Sequence, residues 1–258
     1  MSNNPALSRG LARQPVALRR DGPAPAPDHM PPFAAVGAGL HEIHAASGAD
    51  AAAATGFALG LVRLRLRRAE QPVLWVRQDM LQGEGGHIYA PGLAGFGIGP
   101  WLVTCVRARD GLGVLQAGLE AARCAGLAAV LADLWGPVKV YDLTASRRLS
   151  LAAKTSGTPL LLLRHAAQAQ PSAAETRWQV KGIRSRVLPA NAPGPPAFEV
   201  SLLRQRGGRD GLLCCVEWNN EQAAFQNVSD TRDTGSTALP GAVAALSSGG
   251  PARLRRAR

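Results

Sequence analysis

The sequence predicts an α/β fold, in which a mostly parallel sheet is flanked by helices and extended by antiparallel strands at its C-terminal end. Between residues 40 and 164, short continuous apolar runs alternate with segments of helical periodicity, a pattern typical of βαβ units around a buried sheet. After Arg164, three strand-like runs follow one another with no helix between them, which predicts the antiparallel extension. The chain is 46% hydrophobic but only 5% aromatic, so small residues should fill much of the core.

The predicted elements alternate regularly along the first part of the chain. Parallel strands are predicted at residues 40–44, 72–77, 101–106, 127–133 and 159–163. Helices are predicted over residues 49–68, over 110–124 with Asp110 as the N-cap, and over 142–154 with Asp142 as the N-cap. The antiparallel extension is predicted from the runs at 176–181, 198–205 and 212–218.

Both ends of the chain lack the apolar periodicity that a packed element needs. Residues 1–36 are rich in proline, alanine and arginine, which predicts a disordered arm. Residues 219–258 consist largely of small and polar residues and end in an arginine-rich stretch, which predicts a disordered basic tail. The ordered domain is therefore expected to span residues 37–218.

The charge balance and the cysteines narrow the class of protein. There are 29 basic and 18 acidic residues, and the net charge of +11 permits a polyanion or an acidic protein as a partner. No apolar run reaches the roughly 20 residues of a membrane-spanning helix, and no signal peptide is recognisable, so a cytoplasmic protein without membrane contact is expected. The four cysteines form no CxxC pair and no histidine lies at metal-ligand spacing, so reduced thiols and no metal site are expected.

The turn after the first predicted strand is where an open α/β sheet would bind a ligand. It contains Gly48 but lacks the Gly-Lys-Ser/Thr sequence with which a phosphate loop wraps and neutralises phosphates. Asp50 instead places a carboxylate at the N-terminus of the next helix, where it satisfies the helix dipole and repels a triphosphate. We expect no nucleotide or other cofactor at this degenerate loop.

Two carboxylates, Asp79 and Asp133, follow neighbouring predicted strands. Together they could hold a metal ion or activate a water molecule. Alternatively, each caps a turn or pairs with Arg77 or Arg107, and this interpretation is favoured because no phosphate loop accompanies them. No GxSxG elbow and no HExxH helix is present either, so no catalytic residue is predicted.

Two adjacent arginines, Arg147 and Arg148, lie on the predicted helix that begins after Asp142. They either belong to a solvated helical face or contact an acidic partner. The solvated face is the favoured interpretation, and the contact with an acidic partner is the alternative.

Several segments, taken in combination, resemble the bacterial ImuA family over about residues 37–218. They are LHEI at 40–43, LWVRQDM at 74–80, YAPGLA at 89–94, VRARD at 106–110, DLTASRRL at 142–149, TRW at 176–178 and LLRQRGG at 202–208. Each segment alone would be a weak signal.

This resemblance implies a RecA-like fold, related also to the cell-division inhibitor SulA. It further implies an accessory role in the SOS response, in damage-induced mutagenic translesion DNA synthesis. In that system ImuA acts with ImuB, a catalytically defective Y-family polymerase relative, and with an error-prone C-family polymerase; RecA and single-stranded DNA are further candidate partners. The alternative is a SulA-like inhibitor that binds a tubulin-like division protein.

The resemblance also assigns positions. Asp79 falls where RecA-like proteins place the carboxylate that activates the attacking water, and Asp133 falls at the Walker B acid. Arg204 and Arg206 fall where two basic residues of RecA reach a nucleotide across a subunit interface. Because the phosphate loop departs from the pattern, the resemblance implies an inactive ATPase scaffold with vestigial acids. The candidates for partner binding are then Arg77, Gln78, Arg147, Arg148, Arg204 and Arg206.

Overall fold

A computed structural model describes residues 36–66, 71–80, 83, 86–208 and 211–228. Its helices are α1 (Ala51–Arg65), α2 (Ala90–Gly95), α3 (Gly111–Ala122) and α4 (Leu143–Ser156). Its strands are β1 (Gly39–Ala45), β2 (Val73–Gln78), β3 (Val103–Ala108), β4 (Ala129–Trp135), β5 (Pro159–His165), β6 (Thr176–Ile183), β7 (Val187–Leu188), β8 (Ala192–Pro193), β9 (Ala197–Gln205), β10 (Leu212–Asn219) and β11 (Ala224–Asn227). The predicted arm at 1–36, apart from Val36, lies outside the described residues.

Nine strands form the main sheet of the described chain, in the order β11-β10-β9-β6-β1-β5-β4-β2-β3. The strands from β6 through β1, β5, β4 and β2 to β3 pair in parallel, whereas β9, β10 and β11 add to β6 in antiparallel pairs. The predicted fold class is therefore confirmed. One element needs correction: the run at 176–181, predicted as part of the antiparallel extension, pairs in parallel with β1, and the antiparallel pairs begin at β9. A continuous run of leucines, residues 160–163, fills β5, and the whole of β5 is buried because helices cover the sheet on both faces.

Side chains that alternate along the central strands serve two separate cores. On one face, Ile43, Leu161 and Leu163 pack with α1, whose Phe57 contacts the rings of Trp178 and Phe198 edge to face. On the other face, the core combines strand residues with α3 and α4, through members such as Leu160, Leu162, Val114 and Leu149. None of the described helices is long and apolar enough to cross a membrane.

The helices on the second face begin where their capping residues predict. The Asp110 carboxylate accepts a hydrogen bond from the Gly113 amide at 2.9 Å, and the Asp142 carboxylate accepts one from the Ala145 amide at 2.7 Å. Gly157, with φ of +80°, ends α4 in the left-handed conformation that glycine adopts without strain.

The ordered domain extends further than the predicted boundary at residue 218. After a turn, the chain forms β11, which pairs with β10, and Phe225 is buried against Phe57 and Trp218. The predicted tail at 219–258 is therefore wrong in its first ten residues, and residues 229–258 lie outside the described residues. A four-residue strand with one large apolar side chain leaves almost no periodic signal in a polar stretch.

Gly60 of α1 provides the space that Phe225 fills. A Cβ atom at position 60 would lie 2.3 Å from Phe225 Cζ, and the ring cannot move freely because aromatic side chains surround it. We expect Gly60→Ala to lower the free energy of unfolding by about 1–3 kcal/mol, as overpacking does. Denaturant titration followed by circular dichroism measures this change.

Gly118→Ala is the matched control, since Gly118 is also a buried helical glycine. A Cβ there would lie 3.6 Å from Ala132 Cβ, an ordinary contact, so the substitution should be neutral or stabilising by up to about 1 kcal/mol through helix propensity. Equal stability changes in the two variants would contradict the assigned packing of β11.

Candidate functional site

A cavity of about 580 Å³ opens beside the carboxyl ends of the parallel strands. The first turns of α1, the segment around α2, and the ends of β2, β4 and β5 line it. This is the place where open α/β sheets bind ligands. Of the residues that the sequence singles out, Gly48, Arg77 and Asp133 line the cavity, whereas Asp50 and Asp79 are absent from its described lining.

The turn between β1 and α1 is held by Asp50. One carboxylate oxygen, Oδ1, accepts a hydrogen bond from the backbone amide of Gly182 in β6 at 2.9 Å. The other, Oδ2, accepts one from the Ser47 hydroxyl at 2.5 Å. The prediction that Asp50 satisfies the helix N-terminus needs correction, because its side chain makes no capping hydrogen bond to α1. The carboxylate instead fastens the turn to the neighbouring strand.

Arg77, Asp133 and His165 form a buried polar cluster at the inner end of the cavity. Arg77 Nε donates to Asp133 Oδ2 at 3.2 Å, and His165 Nε2 lies 2.8 Å from Asp133 Oδ1. Arg77 Nη1 donates to the Gly86 carbonyl at 3.0 Å. The rings of Trp75 and Trp135 pack against the Arg77 and His165 side chains respectively. Asp133 lies within β4 and has a neighbour at each carboxylate oxygen, so the cluster holds the strands together.

Asp79 has a separate environment. It follows β2, its side chain is 42% exposed, and Arg107 Nε donates to its Oδ1 at 3.0 Å. The two acids that the sequence places at neighbouring strand ends therefore have different arginine partners. Within the described part of the chain, no group of three or more His, Cys, Asp or Glu side chains is placed to hold a metal ion.

A second buried polar cluster, centred on Glu42, lies in the middle of β1. Arg177 Nε donates to Glu42 Oε2 at 2.6 Å, the Tyr141 hydroxyl donates to Oε1, and His44 Nε2 lies 3.5 Å from Oε2. The guanidinium of Arg164 stacks 4.8 Å from the centre of the Tyr141 ring. Sequence reasoning missed this cluster, although a glutamate inside an apolar strand is a signal that a buried partner is needed.

The cluster changes the acidity of its members. Burial by itself raises the pKa of Glu42, but hydrogen bonds from His44 and Tyr141 and the charge of Arg177 outweigh it and hold the pKa at about 2. Burial and the adjacent Glu42 carboxylate raise the pKa of Tyr141, which therefore remains a hydrogen-bond donor. Burial lowers the pKa of the Arg164 guanidinium.

The structure separates the six candidates for partner binding into two groups. Four of them have internal contacts: Arg77 in the buried cluster, Gln78 with the Trp135 amide, Arg204 with the Ser172 carbonyl and Arg206 with Glu175. Arg147 and Arg148 are both exposed on α4, and neither pairs with another described residue. These two side chains are available to a partner without the loss of an internal contact.

Two exposed aromatic side chains lie on either side of α2, the helix that borders the cavity. Tyr89, just before α2, is 71% exposed, and Trp101, in a single turn before β3, is 83% exposed. The predicted strand at 101–106 includes Trp101, but the strand begins two residues later, at Val103, and Trp101 lies in the turn before it.

We expect the two acids to differ sharply in their contribution to stability. Asp133→Asn leaves Arg77 and His165 without their buried anionic partner and should lower the free energy of unfolding by about 3–5 kcal/mol. Asp79→Asn removes an exposed pair and should cost less than about 1 kcal/mol. Guanidinium denaturation of both variants measures the contrast. Similar values for the two would show that the cluster around Asp133 has no structural role.

The Glu42 cluster predicts an acid-sensitive fold. Since the folded pKa of Glu42 lies below that of the unfolded chain, its stabilisation is complete above about pH 5 and is lost as the pH falls to about 2. The loss should be on the order of 3 kcal/mol. Glu42→Gln should lower stability at pH 7 and flatten its dependence on pH, whereas the exposed Glu120→Gln is the control for removing one carboxylate. An unchanged slope in Glu42→Gln would contradict this assignment.

Comparison with known proteins identifies the family of this chain. No protein-family model matches the chain. Protein ImuA of Caulobacter vibrioides, in two strains, is 33% identical over 210 residues, which cover 76% of this chain and 82% of that protein. Among solved structures, the RadB recombinase matches with a TM-score of 0.49 and 14% identity, over 74% of this chain and 91% of that chain. From its identity to Protein ImuA and the length over which that identity extends, the chain belongs to the ImuA family.

Proposed function

We propose that this protein is a non-catalytic accessory factor of damage-induced mutagenic translesion DNA synthesis, acting in the cytoplasm as part of the SOS response. Its direct partner in this proposal is an ImuB-type relative of the Y-family polymerases. Family membership carries the proposal, since the identity to Protein ImuA extends over most of both chains. An error-prone C-family polymerase would join the same assembly through the partner.

The cavity supports a role without catalysis. Among the described residues that line the cavity, Arg77 is the one lysine or arginine, and its guanidinium is already paired with Asp133. A bound triphosphate would need cations in a phosphate-binding turn, and the turn at residues 46–50 offers the carboxylate of Asp50. Asp133 would have to leave Arg77 and His165 before it could serve a magnesium ion. These contacts favour a scaffold over an ATPase.

The available charges support a protein partner. Arg147 and Arg148 are exposed and have no ion-pair partner in the part of the chain that the structure describes, whereas Arg77, Arg204 and Arg206 are held by internal contacts. In the proposed assembly α4 therefore provides the contact with the ImuB-type protein. RecA and single-stranded DNA are the competing partners for the same basic side chains.

Binding to the ImuB-type protein of the same organism tests the proposal. We expect the full chain to form a complex that co-elutes in gel filtration, with an affinity that magnesium-ATP leaves unchanged. Calorimetry of the full chain alone should record no heat of ATP binding. A micromolar, magnesium-dependent ATP affinity would contradict the non-catalytic role.

Failure to bind the ImuB-type protein, together with binding to a tubulin-like division protein, would replace the proposal with the division inhibitor. Overexpression gives an independent check on that alternative. The accessory factor should leave septation normal, whereas an inhibitor should produce filamentous cells.

A further inference from the structure

A surface groove lies between α3 and α4, on the face of the sheet opposite α1. Its volume is about 720 Å³. One wall is formed by Leu119 and by Arg123 just beyond the end of α3, and the other by Arg148, Leu151 and Ala152 of α4. The groove is separate from the cavity at the carboxyl edge of the strands, and the two share no described lining residue.

Helix α4 contributes two apolar side chains, Leu151 and Ala152, to the lining of this groove. The helix buries Leu149 and Ala153 towards the sheet, but Leu151 points away from that buried face and is 67% exposed. Arg148, Leu151 and Ala152 follow one another at helical spacing, so they form a single outward face. One exposed leucine alone would be ordinary, but here it lines a groove opposite the half-buried Leu119.

The α4 wall of the groove carries basic side chains. The α4 sequence contains Arg147, Arg148 and Lys154 and no acidic residue. Lys154 pairs with Glu175 at 2.7 Å, and Arg123 at the opposite wall pairs with Glu120 at 2.8 Å. Arg147 and Arg148 have no such partner among the described residues. Of these two, Arg148 lines the groove beside Leu151, and Arg147 precedes it on α4. Carboxylates next to an apolar side chain would complement both the charge and the leucine.

Nucleic acid is the other polyanion that such a charge attracts, and the groove fits it less well. Proteins that bind single strands place aromatic rings under the bases, and no described residue lining this groove is aromatic. Phosphates would pair with Arg147 and Arg148 but would leave Leu151 without a contact. The combination of features is the one by which an amphipathic helix or strand is recognised.

We propose that the groove between α3 and α4 docks an acidic amphipathic segment of the ImuB-type partner. An apolar side chain of that segment lies between Leu119 and Leu151, and its carboxylates pair with Arg147 and Arg148. This inference rests on the proposed function and deepens it, because it assigns the binding surface and the chemistry of the segment that binds there.

The test measures the affinity of the full chain for the fluorescently labelled ImuB-type protein by anisotropy. Two groove variants, Arg148→Glu and Leu151→Gln, are compared with two controls at exposed sites elsewhere, Arg109→Glu and Leu213→Gln. Circular dichroism verifies that each variant is folded. Each groove variant is expected to weaken binding by about tenfold or more, as residues central to an interface do, while both controls bind as the wild type does. Single-stranded DNA of 30 nucleotides or so is titrated against the same proteins.

Three other outcomes would contradict the inference, and each leads to a different conclusion. Equal binding by wild type and both groove variants would refute the groove as the docking surface and leave the proposed function standing. Loss of DNA affinity in Arg148→Glu, with normal binding of the protein partner, would assign the arginines to nucleic acid. Absence of binding by the wild type would refute the proposed function and the docking surface together.

Discussion

The ion pair between Arg77 and Asp133 joins β2 to β4 where neither side chain is more than about a tenth exposed. A charge at that depth is tolerated only with its partner, because neither ion can recover its hydration. The other contacts at the carboxyl edge of the sheet surround this ion pair. His165 contacts the second oxygen of Asp133 from β5, and Trp75 and Trp135 shield the group, so three neighbouring strands are tied by one carboxylate. The Glu42 cluster repeats the principle in β1, where Arg177 and Tyr141 supply the partners.

The sequence predicted the part of the fold that depends on local pattern. The strands of the parallel half, the three long helices and the caps Asp110 and Asp142 all lie within a few residues of their predicted places. Periodicity and helix capping depend on residues that are close together in the sequence, so they can be recognised without knowledge of the tertiary structure. β11 was not predicted, because its one large apolar side chain, Phe225, packs against Gly60, which lies 165 residues away along the chain. Trp101 was misplaced because an apolar residue before a strand looks like the strand itself.

The candidate site was predictable by residue type but not by arrangement. Asp79 is the first residue after β2, whereas Asp133 lies inside β4, two residues before that strand ends. This difference in position accompanies the difference in burial of the two carboxylates. The pairing of each arginine with its acid depends on the order of the strands in the sheet. The local sequence pattern does not predict that order. The same holds for Arg147 and Arg148, whose sequence suggested either solvent or a partner. The proposed docking surface rests on the groove beside Arg148 and on the lack of a counter-charge among the described residues.

The position of β11 determines where the chain can be shortened. Ending the chain at the predicted boundary would remove Phe225, and the space it occupies is bordered by Phe57, Phe198 and Trp218. The edge of β10 would also lose its hydrogen-bonded neighbour, which leaves an open strand beside an apolar hollow, a combination that promotes self-association. A fragment intended for expression therefore needs to run at least to Val228, whose amide donates to the Cys215 carbonyl and closes the sheet at this end.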